Sequence, residues 1–179
     1  MPLIILDRDG VINEDSDAYI KHPDEWIAIP GSIEAIALLT QHGYEVAIAT
    51  NQSGLGRGLF DLQSLEAIHD KLRGAVEVAG GRVGLIAFCP HHPDAQCQCR
   101  KPNIGLLLAI HHEHPVDPDS TWFVGDTAKD LGAAQKMGIR GALVLTGKGR
   151  DTVEKGVVSR ETTPIFQDLR AFTNWLLSA

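Results

Sequence analysis

Short apolar runs alternate with longer amphipathic or polar stretches along the chain. A continuous apolar run of this length is typical of a strand buried on both faces of a parallel sheet. The alternation of such runs with helical spacing predicts an α/β fold, a Rossmann-like parallel sheet with helices on both faces. The five predicted strands are Leu3–Leu6, Val46–Ala49, Val83–Phe88, Trp122–Val124 and Ala142–Leu145.

Helix signals lie between and after these runs. A serine at position 32 predicts the N-cap of the first helix, and an aspartate at position 61 predicts that of the second. We expect loop or hairpin structure from Asn13 to Pro30 and irregular structure after the fifth strand. The predicted helices span residues 32 to about 42, 62–76, 104–112, 130–137 and 166–177.

Size and charge limit the classes of protein that this chain can represent. Its 179 residues suit one domain, which we expect to span residues 1–179. The formal net charge of −7 argues against non-specific nucleic-acid binding. No run approaches the ~20 apolar residues of a membrane span, and the first apolar run ends at Asp7 without a basic segment. We therefore expect a cytoplasmic monomer with no signal peptide, membrane or nucleic-acid partner.

Two carboxylates follow the first strand. Asp7 and Asp9 are two residues apart, so on an extended backbone their side chains point the same way. Such a pair repels unless a cation or a shared proton relieves it. Mg²⁺ fits, because it takes hard oxygen ligands and is often held by carboxylates together with a substrate phosphate. The alternative is that both are turn residues.

Polar residues also follow the second and fourth strands and the loop after the third. In a parallel sheet these groups converge on one edge, where open α/β sheets bind ligands. Metal-binding acids, a hydroxyl and fixed cations suit phosphoryl transfer. Asp7 is the candidate carboxylate nucleophile and Asp9 the candidate general acid and base. The other members of the set are Thr50, Asn51, Arg100, Lys101 and Asp126.

All three cysteines lie within eleven residues of the chain, beside a pair of histidines. An odd, clustered set is typical of metal ligands rather than of a disulfide framework. Three thiolates and one imidazole can close a tetrahedral structural zinc site, with His91 or His92 as the imidazole. Inert, reduced cysteines are the alternative. The predicted zinc loop, residues 89–101, contains Cys89, Cys97 and Cys99 and leads into Arg100 and Lys101.

These motifs resemble the haloacid dehalogenase superfamily of phosphohydrolases. The resemblance rests on residues 7–11, Thr50-Asn51, Lys101 and Gly125-Asp126, with Asp130 four residues further on. It implies Mg²⁺ bound by Asp7, the Asp9 carbonyl and Asp126, and a phosphoryl group held by Thr50 and Lys101. Asp130 is implied to be a ligand through water or a support for Lys101. The gaps after the first and third strands are too short for a cap domain, so a capless enzyme is implied.

Within the superfamily, the chain resembles a capless branch with a zinc-bound loop, in which His91 matches the histidine ligand. The further residues that carry this resemblance are 9–13, 15–19, Trp26, 30–32, 50–54 and Arg57-Gly58. As the leading expectation, the resemblance implies removal of the C7 phosphate of a heptose bisphosphate, for nucleotide-activated heptose and lipopolysaccharide core synthesis. Histidinol-phosphate hydrolysis is the alternative, and a catalytically silent zinc-stabilised binding module is a further one. A phospho-acceptor domain is disfavoured because it has no need of Asp9.

A sugar bisphosphate needs contacts beyond the reacting phosphate. We expect Asp15 and Asp17 to face the sugar, and Arg100 to grip the reacting phosphate or nearby hydroxyls. Further expected substrate contacts are Asn51, Gln52 and Ser53. The candidates for the second phosphate are Arg57, Lys148 and Arg150.

Overall fold

The computed structural model describes residues 1–178, and its centre is a six-stranded parallel sheet. The strand order is β3-β2-β1-β4-β5-β6, with β1 and its acids in the interior of the sheet. The prediction of a parallel α/β sheet is therefore confirmed. The strands are β1 Leu3–Leu6, β2 Glu45–Asn51, β3 Ile86–Cys89, β4 Thr121–Gly125, β5 Arg140–Val144 and β6 Ile165–Phe166.

Helices cover both faces of the sheet. Alternate residues of β1 belong to opposite cores, because Ile4 and Leu6 pack with one apolar cluster and Leu3 and Ile5 with the other. Residues from α1, α3 and α7 fill the first cluster, and residues from α4 and α5 fill the second. The helices are α1 Ser32–Gln41, α2 Ser53–Gly56, α3 Leu62–Val78, α4 Gly105–Glu113, α5 Ala128–Met137, α6 Gly149–Glu154 and α7 Leu169–Leu177.

Register aligns the strand ends that carry polar groups. Leu6 of β1 pairs with Ile48 of β2 and with Val124 of β4. The chain therefore runs toward the same edge of the sheet after each of these positions. The fold places residues 7–9, 50–52 and 126 side by side, as the order of apolar runs predicts.

Several local predictions differ from the structure. Ser32 is the first residue of α1 rather than its N-cap, which is Gly31, and its hydroxyl donates to the Ile12 carbonyl at 2.6 Å. The last helix begins at Leu169, with Asp168 as its cap, whereas Phe166 lies in β6. The short elements α2, α6 and β6 were not predicted.

The connections after β1 and β3 are short. Residues 7–31 and 90–104 contain one 3₁₀ turn each, Pro23–Glu25 and Pro93–Ala95. None of the described helices combines the length and apolar character that crossing a membrane requires.

Candidate active site

A cleft of about 350 Å³ opens at the carboxyl edge of the sheet. It is the place where the ends of β1, β2 and β4 and the zinc loop meet. Six carboxylates and four cationic side chains line it, so the charges are dense and of both signs. The charged lining residues are Asp7, Asp9, Asp15, Asp17, Asp126, Asp130, Arg100, Lys101, Lys129 and Lys148.

Asp7 lies at the base of the cleft and is only 8% exposed. Its Oδ1 accepts a hydrogen bond from the Arg8 backbone N–H at 2.7 Å and pairs with Lys101 Nζ at 2.9 Å. These two donors fix the carboxylate and leave Oδ2 as the oxygen available to a metal or to phosphorus. Burial raises the pKa of Asp7 to about 7, which Lys101 opposes and the carboxylates of Asp130 and Asp9 reinforce.

Asp126 lies across the cleft from Asp7. Its Oδ2 accepts the Lys148 backbone N–H at 2.8 Å, whereas its Oδ1 is buried and has no hydrogen-bond partner among residues 1–178. Burial, with the charges of Asp7 and Asp130, raises the pKa of Asp126 to about 8. A Cβ atom on Gly10 or Gly147 would collide with Asp126 Oδ2, so the close approach around this carboxylate requires both glycines.

The acids fit a divalent cation. Oxygen atoms of Asp7, Asp126 and Asp130 lie within 4.8 Å of one another. A bound cation would give the buried Asp126 Oδ1 a partner and would stabilise the ionised forms of Asp7 and Asp126, whose pKa values burial and neighbouring carboxylates raise. Hard carboxylate oxygens at this spacing suit Mg²⁺.

Asp130 acts on Lys101 and on its own helix. Its Oδ1 pairs with Lys101 Nζ at 2.7 Å, and its Oδ2 accepts the Thr127 N–H at 3.1 Å and the Thr127 hydroxyl at 2.9 Å. Because both oxygens are in use, the geometry favours the support role over the ligand role. Burial alone would lower the pKa of Lys101, but Asp130 and Asp7 raise it, so this lysine stays charged.

Asp9 has a different environment from Asp7. Its two oxygens accept hydrogen bonds from four donors: Arg8 Nε, Arg8 Nη2, Asn13 Nδ2 and Gln52 Nε2. Burial would raise the pKa of Asp9, but the Arg8 guanidinium and these hydrogen bonds lower it below its usual value. Asp9 is therefore an ionised carboxylate held in one orientation at the cleft.

The end of β2 and the residue after it carry other members of the site. The Asn51 side chain receives the Lys101 N–H at 3.0 Å and donates to the Lys101 carbonyl at 3.2 Å, which ties the zinc loop to the sheet. Gln52 Nε2 donates to Thr50 Oγ1 at 2.9 Å as well as to Asp9. Asn51, Gln52 and Ser53 also line the cleft, whereas Thr50 is buried and is not part of the lining.

The rim of the cleft contains acids and cations. Asp15 pairs with Lys148 Nζ at 3.6 Å, and Asp17 also lines the rim. Arg100 reaches the cleft with a buried Nη1 that has no partner among the described residues. Arg57 and Arg150 are not part of this lining. Arg57 lies over the ring of Tyr19, which is itself a lining residue, and Arg150 contacts Gln167.

The cysteine cluster lies beside the cleft, and its donor atoms come from the predicted loop. Cys89 Sγ lies 3.5 Å from both His91 Nδ1 and Cys97 Sγ, and Cys99 Sγ lies 3.1 Å from His91 Nδ1 and 3.7 Å from Cys97 Sγ. A tetrahedral zinc site with Zn–S and Zn–N bonds of ordinary length has donors about 3.5–3.8 Å apart. The donor set fits zinc, and three of the four distances lie in this range, whereas His91 Nδ1 and Cys99 Sγ lie closer together.

His92 is directed elsewhere. Its Nδ1 accepts the Asp94 N–H at 3.2 Å and caps the short 3₁₀ turn of the loop. The structure therefore brings His91, and not His92, to the three thiols.

Sequence reasoning missed two groups of residues at this site. Tyr19, Ser16 and Thr127 line the cleft but were not assigned a role in it. Arg8 and His69 form a buried contact behind Asp9, joining residues 61 positions apart. The sequence did contain one indication of a role for Arg8: it lies between two acids at the end of a buried strand.

Together, the fold and the arrangement of Asp7, Asp9, Lys101 and Asp126 are those of a phosphohydrolase of the haloacid dehalogenase type. A family model described as HAD-hydrolase-like matches residues 98–172.

Relatives define the family more closely. The chain is 54% identical over 177 residues to the D-glycero-beta-D-manno-heptose-1,7-bisphosphate 7-phosphatase of Pseudomonas putida, covering 99% of this chain and 100% of the relative. A crystal structure of the D,D-heptose 1,7-bisphosphate phosphatase of Bordetella bronchiseptica, complexed with magnesium and phosphate, has a TM-score of 0.95 and 51% identity over 99% of both chains. The enzyme of Burkholderia thailandensis has a TM-score of 0.78 and 42% identity, with both chains fully covered. The chain belongs to the family of D-glycero-beta-D-manno-heptose-1,7-bisphosphate 7-phosphatases.

Proposed function

We propose that this protein is a Mg²⁺-dependent phosphatase that removes the C7 phosphate of D-glycero-D-manno-heptose 1,7-bisphosphate through an aspartyl-phosphate. The observation that carries the proposal is the geometry of Asp7. It is a buried carboxylate held through one oxygen by Lys101 and Arg8, with the other oxygen available at the cleft. This arrangement presents a nucleophile to phosphorus and keeps a fixed cation beside the transferring group.

In the first half-reaction, a carboxylate oxygen of Asp7 forms a bond to phosphorus while the bond from phosphorus to the sugar oxygen breaks. Protonated Asp9 gives its proton to that oxygen, so the sugar leaves as an alcohol. Lys101 stabilises the charge on the phosphoryl oxygens. The Thr50 hydroxyl accepts from Gln52, so its own proton remains as a donor to a phosphoryl oxygen that reaches past the cleft lining. Because Asp9 receives four hydrogen bonds as a carboxylate, taking up a proton requires one of the four donors to release it.

In the second half-reaction, Asp9 is the ionised base that its surroundings favour. It removes a proton from water, the water oxygen bonds to phosphorus, and the bond between phosphorus and Asp7 breaks. Inorganic phosphate leaves, and Asp9 holds the proton for the next cycle. Asp7, the Asp9 carbonyl and Asp126 would hold Mg²⁺, which supplies positive charge to the phosphoryl oxygens when bound.

The rim of the cleft has cationic side chains that could bind a second phosphate. Burial and the positive charges of Arg100 and Lys148 lower the pKa of Lys129, so three cations lie close enough to repel one another. An anion relieves this repulsion, and the unpartnered Arg100 Nη1 offers it a donor. We assign the distal phosphate to Lys129 and Lys148, and place Arg100 between the two phosphates. Asp15 and Asp17 are the proposed contacts of the sugar hydroxyls.

Zinc has a structural role in this proposal. Cys89, His91, Cys97 and Cys99 supply four protein ligands, so the ion has no open position for chemistry. The loop it closes has one 3₁₀ turn and continues into Arg100 and Lys101. Zinc would therefore fix the backbone that carries two cations into the cleft.

The test is phosphate release with Mg²⁺ from heptose 1,7-bisphosphate and from histidinol phosphate, measured side by side. We expect a much higher kcat/KM for the bisphosphate, because the cationic rim repels the ammonium group of histidinol phosphate. A preference for histidinol phosphate would overturn the substrate assignment. Release from neither substrate would instead favour a silent binding module.

A charge reversal locates the distal phosphate. Lys148→Glu should lower kcat/KM for the bisphosphate far more than for a simple phosphate monoester, because the monoester has no second phosphate. Arg150→Glu is the matched control, since Arg150 is exposed and does not line the cleft. If Lys148→Glu lowers kcat/KM equally for the bisphosphate and for the monoester, Lys148 does not bind the distal phosphate.

A role in nucleotide-activated heptose and lipopolysaccharide core synthesis belongs to the same proposal. The monomeric state, the cytoplasmic location and the absence of nucleic-acid or membrane partners stay predictions.

A further inference from the structure

A histidine lies in the core behind the active site. His69 occupies the middle of α3 on the same side as Leu65 and Leu72, and it is 8% exposed. Its ring packs against Phe88 with centroids 6.1 Å apart. The proposed reaction gives this imidazole no role, and apolar packing does not require a nitrogen atom at this place.

The imidazole contacts Arg8. Arg8 Nη1 lies 3.2 Å from His69 Nε2. A guanidinium has only donors, so Nε2 must accept, and the ring proton of His69 must lie on Nδ1. Burial, and to a smaller extent the positive charge of Arg8, lowers the pKa of His69 to about 3. The ring is therefore neutral near pH 7.

The other side of the same guanidinium holds Asp9. Arg8 Nε donates to Asp9 Oδ1 at 2.9 Å, and Arg8 Nη2 contacts Asp9 Oδ1 at 2.8 Å and Oδ2 at 3.2 Å. Arg8 is fully buried, so water does not compete for its donors. A guanidinium is planar and rigid, and a partner at Nη1 therefore orients Nε and Nη2 as well.

We propose that His69 is a positioning residue for the reaction: as a neutral acceptor it orients Arg8, which holds the Asp9 carboxylate where it exchanges a proton with the leaving oxygen and with water. The inference rests on the proposed function, because it assigns a purpose to the proposed acid and base. Asp9 touches the reacting atoms, whereas Arg8 and His69 act through it.

Loss of the imidazole acceptor has a defined consequence. Without it, Arg8 Nη1 becomes a buried donor with no partner, which is costly. The guanidinium then turns toward another acceptor and takes Asp9 with it. Displacement of a proton donor by a fraction of an ångström to an ångström is enough to lower a rate by one to two orders of magnitude.

Leaving groups of different acidity separate this role from a purely structural one. A sugar alkoxide needs a proton as it leaves, whereas p-nitrophenolate does not. The kcat/KM value reports only the steps through formation of the aspartyl-phosphate, in which Asp9 acts as an acid. A positioning defect at Asp9 should therefore lower kcat/KM for heptose bisphosphate and spare that for p-nitrophenyl phosphate.

The experiment compares His69→Leu, His69→Gln and the matched surface control His112→Leu on both substrates, with zinc content and melting temperature recorded. For His69→Leu we expect about a 10-fold loss of kcat/KM on the bisphosphate and less than about 3-fold on p-nitrophenyl phosphate. His69→Gln, which keeps an acceptor oxygen, should recover most of the loss. His112 is largely exposed at the end of α4, and its replacement should leave kcat/KM unchanged for both substrates.

Two further variants keep the outcomes distinct. We call a larger loss of kcat/KM on the bisphosphate than on p-nitrophenyl phosphate a split. Arg8→Lys keeps the charge but cannot bridge His69 and Asp9, so it should show the same split even if His69→Leu does not fold. Asp9→Asn is the reference, and its split should be the largest. Equal losses on both substrates in His69→Leu and Arg8→Lys, with a split in Asp9→Asn, would overturn the inference and leave the role of Asp9 intact. No split in Asp9→Asn would overturn the role of Asp9 and the inference with it.

Discussion

The two candidate metal sites of this molecule are built in opposite ways. The carboxylates of Asp7, Asp126 and Asp130 are buried and stand at the ends of β1 and β4 or in the first turn of α5. The sheet and helices around them are held by two apolar cores. The cysteine cluster joins the buried Cys89, at the end of β3, to the partly exposed Cys97 and Cys99 of a loop with only one 3₁₀ turn. The fold therefore positions the first site, whereas the second site would position its own segment of the fold.

The two sites differ in electrostatics for the same reason. Helices and strands that are stabilised by an apolar core can hold carboxylates close together despite their repulsion. The unfavourable burial and crowding of charge raise the pKa values of Asp7 and Asp126. At the cysteine site the cost of burial falls mainly on one thiol, because Cys89 ends β3 in the apolar core and burial raises its pKa to about 12. Cys97 and Cys99 lie partly exposed in the loop. Removing metal should thus change chemistry at the acid site and change folding at the cysteine site.

The largest expected effect is loss of turnover without loss of fold. In Asp7→Asn the amide cannot attack phosphorus, so kcat should fall by at least about 10³-fold. The melting temperature without Mg²⁺ should not fall, because one of the crowded charges is gone. Phosphate release and thermal unfolding measure both effects. Asp70→Asn, an exposed position on α3, is the control, and activity near wild type in Asp7→Asn would rule out the covalent mechanism.

The reverse pattern is expected at the cysteine site. Cys97→Ala should abolish zinc binding and lower the melting temperature by on the order of 10 °C, because metal affinity in such a loop is folding energy. Activity should fall by roughly 10- to 100-fold, because Arg100 and Lys101 lose their alignment. Elemental analysis, calorimetry and phosphate release give the three values.

The exposed Asp94 of the same loop provides the control, Asp94→Asn. Zinc-free wild-type protein, purified under reducing conditions and fully stable, would contradict the structural role of the metal.

A smaller effect is expected from the pKa values of the acids. Their folded values of about 7 and 8 exceed the ordinary value of 3.8, so the folded protein binds protons more tightly than the unfolded chain between about pH 4 and pH 8. These two groups therefore stabilise the fold less as pH rises through this window. Mg²⁺ competes with the same protons and should recover that loss.

The measurement is the rise in melting temperature on adding Mg²⁺. It should be several degrees larger at pH 8.5 than at pH 5.5. Taking the difference with and without Mg²⁺ cancels the opposite contribution of His69, which destabilises the fold as pH falls below its unfolded pKa. Asp126→Asn should lose most of the rise. An equal rise at both pH values would show that protons do not compete for this site.

The sequence predicted the fold well where apolar runs reach three residues or more. The five longer strands and four helices were found because each buries an unbroken run or a stripe at helical spacing. The two-residue strand β6 and the short α2 and α6 are below the length at which a pattern is visible. The start of α7 was placed too early because Phe166 packs in the same aromatic cluster as Phe172 and Trp175, which imitates one amphipathic stripe.

The sequence predicted those members of the candidate site that directly follow a strand. Asp7, Asp9 and Asp126 follow buried strands, so topology alone brings them together. Side-chain contacts between distant segments left no such signal. Asn51 reads as a turn residue yet fixes the backbone of Lys101, and His69 reads as one more core position on α3.

The two adjacent histidines of the loop give the smallest expected effect. His91 Nδ1 lies within 3.5 Å of two thiols, whereas His92 Nδ1 only caps the 3₁₀ turn at Pro93–Ala95. Asparagine serves as a cap about as well as any residue, so His92→Asn should change the free energy of unfolding by less than about 0.5 kcal/mol and leave zinc content unchanged. His91→Asn, the same substitution one residue earlier, should lose zinc and behave as Cys97→Ala. Retention of zinc in His91→Asn, or its loss in His92→Asn, would reassign the fourth ligand.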